Sequence, residues 1–114
     1  MSKKAEEIQP NYAPVYAAMY PKLAKVFQKH GYALAVHGSL AKDFDLIAIP
    51  WVEEPTDSEK VIEDITKQFA IRQIGKPFGK PFGRLAYSLS ITFGDCQLDL
   101  SFFPFWKEQA LSVN

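Results

Sequence analysis

At 114 residues, 47% hydrophobic and 23% charged, the chain has the composition of one globular domain and not of a disordered tail. Its single cysteine, Cys96, excludes an internal disulfide framework and a multi-cysteine zinc site, and fits a reducing, cytoplasmic location. No run approaches the roughly 18 apolar residues of a membrane span, and the zero net charge hides a segregation: residues 42–64 hold eight acids against two lysines, while residues 65–94 hold Lys67, Arg72, Lys76, Lys80 and Arg84 with no acid.

In chain order, residues 1–11 read as a flexible polar leader and residues 12–114 as a single domain. From Pro14, the apolar residues Val15, Met19, Leu23, Val26 and Phe27 recur at helical spacing. Pro21 predicts a kink or a fresh helix start, and Gly31 a stop. Tyr32–His37 and Phe44–Ile49 read as short buried strands. Thr56 with Glu59 matches a capping box ahead of the stripe Val61, Ile62, Ile65 and Phe69, predicting a helix over 57–71. The proline- and glycine-rich stretch 75–83, a tetrapeptide repeated twice, reads as a loop.

The last part reads as a hairpin. Leu85, Tyr87, Leu89, Ile91 and Phe93 alternate with small or polar residues, and the alternation resumes at Cys96, Leu98, Leu100 and Phe102. A two-residue turn at Gly94-Asp95 pairs Phe93 with Cys96, Ile91 with Leu98 and Leu89 with Leu100, and sets Ser90 opposite Asp99. The expected class is α+β: a mixed sheet of about four strands with two main helices packed on one face.

Asp43 and Asp45 stand two apart at the head of a strand, so both side chains share a face. Asp99 lies mid-strand, flanked by leucines that face the other way. A carboxylate there is costly unless it is exposed, hydrogen-bonded or holding a cation. Three carboxylates from two strands could converge on Mg²⁺, and two such ions could clamp the attacking and leaving oxygens of a nucleotidyl transfer. Asp-x-Asp taken alone is a weak signal, and carboxylates that simply face water account for it more readily.

The segment Val36-His-Gly-Ser-Leu-Ala-Lys-Asp-Phe-Asp-Leu-Ile-Ala-Ile49 resembles the signature of the nucleotidyltransferase (DNA polymerase β-like) superfamily. There, a strand ends in Gly-Ser, an Asp-x-Asp heads the next strand, and a third carboxylate lies on a later strand. Within the superfamily, the chain is most similar to small bacteriophage-encoded proteins, through His-Gly-Ser-Leu-x-x-Asp-Phe-Asp-Leu, Gly-Lys-Pro-x-Gly-Arg-x-Ala and Leu-Asp-Leu-Ser. The resemblance covers roughly residues 31–103 and implies a minimal nucleotidyltransferase-like fold in a host cytoplasm. It also implies a nucleoside triphosphate as substrate, one or two Mg²⁺ ions, and an acceptor that is a nucleic acid or a protein. Gly38 and Ser39 would hold phosphate, Asp43, Asp45 and Asp99 would ligate metal, and Asp99 would help deprotonate the incoming hydroxyl. One departure is plain: only Leu40, Ala41 and Lys42 separate Ser39 from Asp43, fewer than the family usually has. A binding module without catalysis, on the same fold, is the rival reading.

Lys76, Lys80 and Arg84 lie among prolines and phenylalanines, where they could grip nucleotide phosphates or single-stranded nucleic acid, with Phe78 or Phe82 stacking on a base. A solvated loop with its phenylalanines tucked onto the core explains them equally well. His37 reads as a strand-end residue or a contact to Asp45 or phosphate. His30 near a helix end and Cys96 read as structural residues. The run 102–106 reads as a core edge.

Overall fold

The computed structural model describes residues 11–91 and 96–104. Most of the leader (1–10), the Gly94-Asp95 turn and residues 105–114 lie outside the described residues. Helix α1 (Ala13–Lys29) leads to strands β1 (Tyr32–His37) and β2 (Asp43–Pro50), and helix α2 (Ser58–Gln68) follows. Strand β3 (Ile71–Lys80), a three-residue turn (Pro81–Gly83), β4 (Arg84–Ile91) and β5 (Gln97–Phe102) complete the chain. The sheet has five strands in the order β1-β2-β5-β4-β3, antiparallel except for the β2–β5 pair. The α+β class holds, with one strand more than expected.

The extra strand is the stretch read as a loop. Pro77 cannot donate to a ladder, but β3 is an edge strand, where proline is tolerated. Its register breaks between Ile74 and Phe78, which accommodates Gly75 and Pro77 as a bulge.

Both helices cover one face of the sheet. Tyr16, Leu23, Phe27, Val61 and Ile65 pack there against Phe44, Leu46, Leu89, Leu98 and Leu100, all fully or almost fully buried. Tyr16 stacks on Phe44 at 4.7 Å between centroids, so Tyr16, and not Val15, begins the buried stripe. Pro21 sits inside an unbroken α1. Both Pro21 and Ala17, whose carbonyl loses its partner, face solvent, where water can take the bond, while Leu23 and Val26 hold the next turn in the core. Gly31 ends the helix at φ +89°, and a Cβ there would lie 2.4 Å from Val52.

Helix α2 begins one residue after Asp57, with no side-chain cap. The capping box fails because Thr56 is engaged elsewhere: its Oγ1 lies 3.0 Å from His30 Nδ1. His30 Nε2 meets Asp64 at 2.7 Å, tying the end of α1 to α2. His30 is therefore structural, as is the buried Cys96.

Strands β4 and β5 do pair, two residues away from the expected register. Leu89 faces Leu98, Tyr87 faces Leu100 and Ser88 faces Asp99. Four residues, 92–95, separate Ile91 from Cys96, whose backbone groups bond at 3.1 Å. A shift of two keeps every side chain on its own face, so the apolar pattern cannot distinguish the registers.

Each sheet edge is blunted. On β1, the Leu34 carbonyl is taken by the Tyr20 hydroxyl at 2.6 Å, and β3 carries a proline, a bulge and two lysines. The β3–β4 turn is strained: Phe82 adopts φ +67°, ψ +27°, ahead of Gly83 at φ +72°. The left-handed region costs a residue with a side chain about 1–2 kcal/mol. No helix among the described residues is long and apolar enough to cross a membrane.

Candidate functional site

The face of the sheet away from the helices carries the candidate chemistry. Parallel pairing of β2 with β5 sets Asp45 directly beside Asp99. The row continues to His37 opposite Asp45 on β1 and to Ser88 opposite Asp99 on β4. Asp43 lies two residues up β2 on the same face, opposite Gln97, whose amide nitrogen donates to Asp99 Oδ1 at 2.9 Å. All three predicted carboxylates therefore share one face, two of them as nearest neighbours.

Tyr16 bridges the entries to these two strands. Its hydroxyl reaches down from α1, donates to the Lys42 carbonyl at the entry to β2 and accepts from the Gln97 N–H at 3.2 Å at the entry to β5. One buried phenol thus ties together the entries of the two strands that carry the acids. Burial, the largest influence, pushes its pKa up to about 12. Sequence reasoning missed Tyr16, although its position beside the helical stripe was a usable signal. It also named Ser90 where the register places Ser88.

Asp45 is held above the ordinary carboxylate range, first by burial and next by the negative charge of Asp99. His37 pulls it down and Asp43 pushes it up. Gly38, at φ +81°, brings the backbone so close that a Cβ there would lie 2.6 Å from Asp45 Oδ2. The Ser39 hydroxyl accepts the Ala41 N–H at 3.3 Å, and the Ala41 carbonyl accepts the Tyr12 N–H at 2.8 Å. The three-residue link is thereby a fixed turn, with Leu40 at φ +65°.

A cleft of about 80 Å³ opens here, lined by His37, Asp45, Asp99, Ser88, Lys80 and Arg84, with Phe78 also in its wall. Lys80 and Arg84 face each other as the last pair before the β3–β4 turn. Arg84 Nε donates to the Pro81 carbonyl at 3.0 Å, and its guanidinium lies 5.9 Å from the Phe103 ring centre. Lys76 stands in the β3 bulge and does not line the cleft.

No family model, curated protein or solved structure matches this chain. Among the described residues, no three His, Cys, Asp or Glu side chains are gathered into a group that could hold a metal. The Asp45–Asp99 pair remains: two hard oxygen donors side by side, in a cleft that Lys80 and Arg84 also line. Mg²⁺ is commonly held by one or two carboxylates, with waters and substrate phosphates completing its shell.

Proposed function

We propose that this domain binds a nucleoside triphosphate with Mg²⁺ at the Asp45–Asp99 pair and transfers the nucleotidyl group to an acceptor hydroxyl in the cytoplasm. The supporting observation is the register of β2 against β5, which seats two carboxylates side by side in a cleft that Lys80 and Arg84 also line. The donor set suits the ion. Two like charges, one already resisting ionisation, are relieved by a divalent cation. Bound Mg²⁺ would supply positive charge to the phosphate oxygens, and Asp43 would extend the set if a second ion entered.

The chain's own residues have definable parts. Lys80 and Arg84 would neutralise phosphate oxygens, and the Gly38 backbone with the Ser39 hydroxyl would donate to them. Asp99 would accept the proton of the acceptor hydroxyl. The hydroxyl oxygen then bonds the α-phosphorus, the bond from that phosphorus to the bridging oxygen breaks, and pyrophosphate leaves with the electron pair.

The rival is a module on the same fold that binds a nucleotide, nucleic acid or host protein without catalysis. It is favoured by the short Ser39–Asp43 link. A thermal-shift series separates the two readings. Transfer predicts that Mg²⁺ raises Tm, that Mg²⁺ with a nucleoside triphosphate raises it further, and that Asp45→Asn removes most of the gain. The module predicts little metal response and a nucleotide shift that survives Asp45→Asn but falls with Lys80→Ala or Arg84→Ala. No shift with any metal or nucleotide refutes both nucleotide readings.

A further inference from the structure

We infer that the tip of the β3–β4 arm is a stacking platform for single-stranded nucleic acid, formed by Phe78 and Phe82 with Lys80 and Arg84. Phe82 carries the argument. It occupies a left-handed backbone position at the turn, where glycine or asparagine would fit without strain. Its side chain is 78% exposed, so the ring contributes little to the core. A phenyl group that strains the backbone and faces water is explained by something outside the fold.

The surroundings indicate what that is. Phe78 is the next large aromatic along the arm and is 47% exposed. Phe78, Lys80, Phe82 and Arg84 thus alternate ring and cation. Lys80 Nζ lies 5.8 Å from the Phe78 ring centre, and the Pro81 carbonyl positions Arg84 through Nε, one of its five N–H donors. Arg72 and Lys76 extend the positive charge along β3, and residues 65–91 contain no acid. Two rings separated by cations match a strand whose bases stack while its phosphates are neutralised. A protein partner would favour a continuous apolar centre, and a duplex hides the base faces that the rings would cover. The platform needs no metal at Asp45, so it stands apart from nucleotidyl transfer.

The test is fluorescence anisotropy with labelled twelve-nucleotide dT and U strands and a duplex control, in EDTA at low salt. The inference expects saturable binding of single strands, weaker binding of the duplex, and affinity that falls as salt rises. Phe82→Asn should weaken binding by about fivefold or more, the lower end for one stacked base, while raising Tm, which shows that the variant folds. Lys80→Gln and Arg84→Gln should each flatten the salt dependence. Asp45→Asn should bind as well as the parent or better, because it removes a negative charge from the adjoining cleft. Absence of saturable binding, duplex binding as tight as single-strand binding, or a Phe82→Asn variant that binds like the parent would each overturn the inference. A failed Mg²⁺ response with intact strand binding would refute nucleotidyl transfer alone.

Discussion

Tyr16→Phe removes one oxygen and tests how the two acid-bearing strands are held. The ring keeps its place against Phe44, so packing is almost unchanged. What is lost is the donor to the Lys42 carbonyl and the acceptor for the Gln97 N–H. Net hydrogen bonds contribute about 1 kcal/mol each, and a buried group left without a partner costs about 1–3 kcal/mol. A loss of about 2 kcal/mol follows. With an unfolding entropy of about 2.1 cal/mol/K per residue over 114 residues, that lowers Tm by about 8 °C. Calorimetry at neutral pH measures it. A second signature comes from alkali. The phenol's pKa is raised from 10 to about 12, so between those values the folded state keeps a proton that the unfolded state has lost. Stability therefore falls as pH rises through that window, and Tyr16→Phe should lack this part of the slope. A Tm within about 2 °C of the parent, together with an unchanged alkaline slope, would refute the clamp.

Other outcomes test neighbouring points. Asp45 has its pKa raised in the fold, so its contribution to stability falls as pH climbs from about 3.8; Asp45→Asn should raise Tm at neutral pH without metal, with the difference shrinking toward acid. Asp64 is shifted down, chiefly by its hydrogen bond to His30, so its contribution is present above the ordinary carboxylate pKa and lost as pH falls below it; Asp64→Asn should flatten that part of an acid-unfolding curve. Gly38→Ala should cost more stability than Gly75→Ala, because both have positive φ but only Gly38 has Asp45 in the way, a contrast chemical denaturation can read. Tyr20→Phe should cost about 1 kcal/mol and expose the Leu34 carbonyl on the β1 edge, seen as a lower Tm and increased self-association by light scattering.

The α+β class, the two amphipathic helices and the placement of three carboxylates on one sheet face were legible in the sequence, because each rests on local periodicity. Asp43 and Asp45 share a face by strand alternation alone, whatever the sheet does. The β4–β5 register was not legible: its alternatives differ by two residues and present identical faces, so only the length of chain between Ile91 and Cys96 separates Ser88 from Ser90 as the partner of Asp99. Local signals also misjudged 75–83, since proline excludes a central strand but not an edge, and edge position is a property of the whole sheet. The Tyr16 clamp joins residues 81 positions apart. Only the tertiary structure decided that Asp45 lies beside Asp99 and that Lys80 and Arg84 share their cleft, because strand order and turn length, unlike side-chain alternation, are set by packing across the entire sheet.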